Sequence, residues 1–267
     1  MLAGALAGLA TYAVPPGMRA LLDERVTALA AYTAVGLVIA VAGVRAGVDW
    51  RRLFGPPLQR ATLPLALVMV PVALLTFAAA LVVYIPLSYV APGFVRRVLL
   101  EPDSFTMVTS VSEWLALMLV GVVAAPVVEE VLFRGVLLHR WARRWGTTTG
   151  VVASSALFAL LHQEWLGHWL FGVALCAVYL RTRSLWLPIA AHAANNFLFL
   201  LPSLAPVFTN EPPAAESMAE LRASAVYVVP LLGAGLLCGV LYLRRWWPEG
   251  LLRRVLRGPV PYDMANE

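Results

Sequence analysis

No lysine occurs in these 267 residues: all 20 basic positions are arginine. Charged residues make up 13% of the chain, about half the roughly 25% of an ordinary soluble domain, which excludes that class. Only two cysteines are present, Cys176 and Cys238, both inside apolar runs, so neither a disulfide framework nor a cysteine-based metal site is expected. Aspartate is confined to Asp23, Asp49, Asp103 and Asp263, outside the long apolar stretches, which leaves no pair of intramembrane aspartates. There is no HExxH helix and no GxSxG turn, so neither signature of a zinc protease or a serine hydrolase is present. The arginines lie in short segments between apolar runs rather than on one basic face, which argues against a nucleic-acid partner. No internal repeat, soluble domain or long linker is evident.

What is there is apolar sequence, 61% hydrophobic residues, arranged in lengths suited to a bilayer. Candidate spans lie near Val26–Val44, Leu63–Leu87, Val111–Val128, Thr148–His162, Leu166–Leu180, Leu185–Leu201 and Ala223–Leu243. The fourth is short and makes sense only when packed among the others. The expected fold is therefore all-α, a polytopic transmembrane bundle of seven spans, or eight if the apolar piece Met1–Val14 crosses. That piece lacks the positive n-region of a signal peptide. By function the chain divides into an N-terminal segment (1–25), N-terminal spans (26–110), a core (111–201), an external loop (202–222), a last span (223–243) and a tail (244–267). Arginines in the connections fall fourteen on one side and five on the other, counting Arg19, Arg25, Arg96, Arg97 and Arg222 as the smaller group. The richer side is expected to be cytoplasmic, with the C-terminus there and Trp246–Arg257 an amphipathic segment on the inner surface.

The stretch Pro126-Val-Val-Glu-Glu-Val-Leu-Phe-Arg134 stands out against this background. A carboxylate inside a membrane-length helix costs about 2.5–3.5 kcal/mol on insertion scales, so such groups face a protein interior or wet cavity and usually serve a function. Arg134 follows Glu130 by four residues, sharing its helix face, while Glu129 points about 100° away. Ser110 and Glu113 have capping-box spacing and should start this helix, which runs to Trp141 and is kinked by Pro126. Phe158-Ala-Leu-Leu-His162 and His192-Ala-Ala-Asn-Asn196 supply the other polar groups within apolar runs. At 1.5 Å per residue, Glu129, His162, His192 and Asn196 lie roughly 18, 21, 12 and 18 Å from the same interface. Three helices thus bring their strongly polar groups to similar depth. His139 and His168 are expected to be solvated, the first among interfacial arginines and the second in an external loop. A buried carboxylate and an imidazole sharing a water make a general-base pair, and a second imidazole with an amide N–H can hold an oxyanion. That combination is suited to hydrolysing an amide bond by activated water.

Glu129-Glu-Val-Leu-Phe-Arg134 resembles the EExxxR motif of the CAAX protease and bacteriocin-processing (CPBP) family. Phe158–His162 resembles its FxxxH motif and His192–Asn196 its HxxxN motif, in family order and separation over Val111–Leu201. The family includes type II CAAX prenyl endopeptidases, which remove the last three residues from prenylated proteins. The resemblance implies an intramembrane endopeptidase acting on a membrane-anchored or lipidated protein or peptide within the lipid bilayer. It implies Glu129 and His162 as water activators, His192 and Asn196 as the oxyanion hole, and Glu130, Arg134 and Phe158 as supporting residues. The family has been described both as glutamic proteases and as metalloproteases. The residue reading favours the glutamic version without a cofactor; a zinc ion would take Glu129, His162 and His192. Two readings from other classes stand beside it: a non-catalytic scaffold or bacteriocin-immunity factor, and a proton-coupled transporter using Glu129 and His192 as a relay.

Overall fold

The computed structural model describes residues 24–100, 106–162, 164–209 and 217–247. Those residues are mostly helical, with no strand among them. The expected segment Met1–Val14 and most of the amphipathic stretch Trp246–Arg257 lie outside the described residues. Helix α1 spans Glu24–Arg45, and a short α2 (Trp50–Phe54) follows, capped by Asp49, whose side chain accepts from the backbone of Arg51 and Arg52. A 3-10 turn at Leu63–Val68 leads into α3 (Met69–Val90). The central helix α4 runs from Val111 to Trp145, then come α5 (Thr147–Leu160), α6 (Trp165–Thr182), α7 (Trp186–Leu200) and α8 (Met218–Trp246).

All seven expected spans are helices, and five of them are long and apolar enough to cross a membrane: α1, Leu63–Val90, α4, Trp186–Thr209 and α8. The fourth, α5, has 14 residues and about 21 Å of rise, too little to cross alone. It is held between neighbours, packed on α6 and on the end of α4. The stretch 202–222, expected as loop, is helical at both ends. α7 continues through Leu201–Leu204 and Ala205–Thr209, and Met218 opens α8 behind a capping box of Ser217 and Glu220. The ladder narrows to a 3-10 turn at Pro202, and the apolar residues that follow carry the helix on to Thr209.

Ser110 starts α4 by accepting from the Glu113 backbone, but the Glu113 carboxylate reaches one residue further back, to Thr109 N at 2.7 Å. Pro126 does not break the helix. Its missing N–H follows a π-helical stretch, Leu119–Ala124, in which the Ala125 N–H bonds to Val120 O, five residues back. A second π-helical stretch, Val131–Leu137, closes with Leu138 N–H on Phe133 O. Wider turns of this kind concentrate at functional sites because each re-aims the side chains after it. Here the two bracket Ala125–Glu130, the turn that carries both acids.

α4 is the axis. α1 and α7 pack on its first π stretch, α5 on its end, while α3 joins α6 to α8 on the other flank. Leu53, Leu138, Val151, Cys176, Tyr179 and Leu185 form one core cluster; Val72, Phe133, Phe158, Phe171, Leu175 and Ala191 form another, immediately beside the acids.

Candidate active site

The i, i+4 spacing of Glu130 and Arg134 becomes a buried ion pair, Nη1 to Oε1 at 2.8 Å with both side chains fully enclosed. Arg134 reaches further: its Nη2 donates to the Gly172 carbonyl on α6 at 3.1 Å, and its guanidinium lies 4.8 Å from the Phe158 ring centre. That reach depends on α5 and α6 touching closely, since a Cβ on Gly172 would meet Ser155 Cβ at 2.9 Å. Glu130 Oε1 takes a second donor, His192 Nδ1 at 2.8 Å, across from α7. A carboxylate paired with arginine only accepts, so Nδ1 carries the hydrogen and Nε2 is the nitrogen turned to the other acid. Glu130 therefore joins α4, α6 and α7 at one point, through Arg134 on one side and His192 on the other.

Glu129 is placed differently. Its Oε1 accepts from the Tyr32 hydroxyl on α1 at 2.6 Å, and its Oε2, buried, makes no hydrogen bond. That free oxygen faces His192 Nε2 at 3.9 Å. The gap is too long for a direct hydrogen bond; an oxygen atom about 2.8 Å from each would lie to one side of the line that joins them. Both acids thus leave Oε2 without a hydrogen bond, and that of Glu129 is the one that faces His192 Nε2.

Asn196 stands one turn beyond His192 and donates from Nδ2 to Gly121 O at 2.8 Å, in the first π stretch. An amide nitrogen carries two hydrogens, so the second remains for another acceptor. A Cβ on Gly121 would meet Leu200 Cδ1 at 2.6 Å, so the end of that side chain packs directly over the glycine. His162 sits just past the last turn of α5 and donates from Nδ1 to Phe158 O at 2.7 Å, leaving Nε2 as its acceptor nitrogen. Its ring packs on Phe158 with centres 4.4 Å apart and stacks on His168 at 4.2 Å and 17°. No hydrogen bond or ion pair joins His162 to Glu129; the imidazole in direct reach of Glu129 is His192. Phe158, fully buried, is the post around which the site is assembled, touching Phe133, Phe171, His162, His168, His192 and Arg134.

Two expectations are corrected. His168 belongs to the first turn of α6, not to a solvated loop, and its Nδ1 donates to Glu164 O at 2.9 Å. The fold returns it to His162 because the connection from α5 to α6 is only four residues long. His139 is fully buried, with Nε2 3.2 Å from the Tyr179 hydroxyl. It lies five residues after Arg134 on the face of α4 that packs against α5 and α6, so its neighbours in sequence, Arg140 and Arg143, misrepresent its surroundings. Tyr32 was not legible as a site residue; the only sequence signal was an aromatic ring in a span of aliphatic residues, glycine and two threonines. Glu164, in the α5–α6 connection, is pushed up to about 7 by burial.

As a metal site the arrangement does not fit. Among the described residues no three histidine, cysteine, aspartate or glutamate side chains converge to hold an ion. Of the three candidate ligands, Glu129 and His192 lie across from each other, and His162, whose Nε2 is unengaged, is not gathered with them.

Residues 111–198 match the family described as type II CAAX prenyl endopeptidase Rce1-like. A Bacillus subtilis (strain 168) protein named "Putative membrane peptidase YdiL" is 27% identical over 95 residues, 34% of this chain and 38% of that protein. The chain thus matches well under half the length of this curated relative. No solved structure matches. The family match covers α4 to α7 and contains Glu129, Glu130, Arg134, Phe158, His162, His192 and Asn196. This helical core is of the Rce1-like, CPBP kind, carried in an integral membrane protein.

Proposed function

We propose that the protein is an intramembrane endopeptidase of glutamic type, hydrolysing a peptide bond in a membrane-anchored or lipidated protein or peptide. The observation that carries this reading is the open Oε2 of Glu129, 3.9 Å from His192 Nε2 inside a buried helical core. In the reaction, a water oxygen held between these atoms bonds to the scissile carbonyl carbon as its proton passes to Glu129 Oε2. His162 Nε2 assists in orienting that water. The carbonyl oxygen becomes an oxyanion accepting from the second N–H of Asn196, with the His192 ring assigned beside it by the HxxxN resemblance. The carbon–nitrogen bond then breaks, and the proton on Glu129 transfers to the leaving amine. Glu130 and Arg134 serve as the fixed pair that orients His192.

The family match and the relative's name support a peptidase; the reaction type rests on the geometry alone. The arginine bias argues for a cytoplasmic C-terminus, and with Trp141 at the inner interface Glu129 would lie roughly 18 Å from it. A non-catalytic scaffold has no use for an acid left open beside an oriented imidazole.

The test is cleavage of a reporter library of membrane-anchored C-terminal tails, including a farnesyl-cysteine tail, in cells expressing wild type or Glu129→Gln. Products present only with wild type are expected. Identical product profiles from the two strains would remove the catalytic reading.

A further inference from the structure

Every residue assigned a role so far comes from α4 to α7. Tyr32 does not: it stands on α1, 97 positions before Glu129, yet makes the hydrogen bond that occupies Oε1. Its ring is 1% exposed and wedged among Ala28, Leu117, Val120 and Ala125, which fixes where the hydroxyl points. One turn further along, α1 approaches α4 closely enough that a Cβ on Gly36 would meet Val128 Cγ2 at 3.4 Å. α1 thus packs against α4 at the level of the acids.

The chemistry of the partner matters. Glu130 is held by a guanidinium and an imidazole, partners that carry or can carry positive charge and compensate its own. Glu129 is held by a phenol, a far weaker acid than a carboxylic acid, which donates one hydrogen bond and cancels no charge. A glutamate side chain has two sp³ torsions and a broad terminal one, so without an anchor the carboxylate would sample several settings. With Oε1 occupied, only Oε2 is presented to His192.

We propose that Tyr32 is a positioning residue, which holds Oε1 of Glu129 and so sets Oε2 as the oxygen that accepts the proton from water. This rests on the hydrolytic reading above and extends its site to a helix outside the matched segment. The role is distinct from packing, since the tyrosine ring alone would serve for that.

Infrared spectra of the full chain in lipid nanodiscs, recorded for wild type, Glu129→Gln and Tyr32→Phe, test the contact without any substrate. The carboxyl band lost in Glu129→Gln is assigned to Glu129, and it should shift in Tyr32→Phe. An unmoved band overturns the proposal. Kinetics on a tail cleaved in the reporter library then test the consequence. Tyr32→Phe is expected to lower kcat roughly 10- to 100-fold with KM little changed, as for loss of one hydrogen bond to a charged group. Wild-type kcat in Tyr32→Phe, with Glu129→Gln inactive, overturns the positioning role and leaves the hydrolytic reading standing. Full cleavage by Glu129→Gln overturns both. Tyr32→Phe keeps the ring, and its thermal unfolding, measured alongside, separates misfolding from a shift in kcat.

Discussion

The two adjacent acids illustrate how one residue step separates structure from chemistry. Glu130 and Arg134 are fully enclosed, and each also binds a group on another helix. Removing one partner leaves a buried charge uncompensated, so Arg134→Met is expected to destabilise the protein by about 3–5 kcal/mol. The double change Glu130→Gln with Arg134→Met should recover a large part of that loss, measured by denaturant titration in mixed micelles. If the single change were as stable as the double, the pair would have no structural role. Phe158 makes the complementary prediction for packing. Its truncation to Ala removes the contact surface of both His162 and Arg134, and a loss of about 3–5 kcal/mol is expected in the same titration.

At the scale of elements, the site depends on helices approaching where glycine permits it. A Cβ at Gly150 would stand 2.8 Å from the backbone nitrogen of Ala142, and backbone cannot rotate away. Gly150→Ala should therefore separate α5 from the end of α4, lower the unfolding midpoint, and displace His162, which α5 carries. Gly233 on α8 is the control: nothing lies within 4 Å of its added Cβ, and Gly233→Ala should stabilise by about 0.5–1 kcal/mol through helix propensity. Equal midpoints for the two variants would show that the α4–α5 approach is looser than the structure has it. The π stretches belong to this scale too. The first accommodates the missing N–H of Pro126, so the acids follow a wider turn instead of a broken helix.

For the whole molecule, the connection between α5 and α6 introduces a dependence on pH. Burial raises Glu164 from the ordinary 4.5 to about 7, so between those values the folded chain binds more protons than the unfolded one. Stability is then highest below pH 4.5, falls as pH rises through 7, and levels off above it. Glu164→Gln should abolish that slope, read as the unfolding midpoint measured from pH 5 to 8. An identical slope in the variant would assign it to other groups. Because Glu164 O also accepts from His168, loosening of this connection at alkaline pH should be felt at His162 as well.

The sequence by itself determined what depends on local periodicity. Apolar run length marked seven helices, and four-residue spacing paired Glu130 with Arg134, because neighbours on one helix face are dictated by the helix itself. The three short motifs likewise marked α4, α5 and α7 as the core that matters. Only the tertiary structure decided which groups meet across helices. It gave Glu129 a partner on α1, stacked His168 on His162, buried His139 against Tyr179, and turned His192 rather than His162 toward the open oxygen. Those contacts depend on helix rotation and close approach at positions such as Gly36, Gly121 and Gly172, where side-chain shape on both helices acts at once. A linear pattern records each helix's own face and carries no record of its neighbour's.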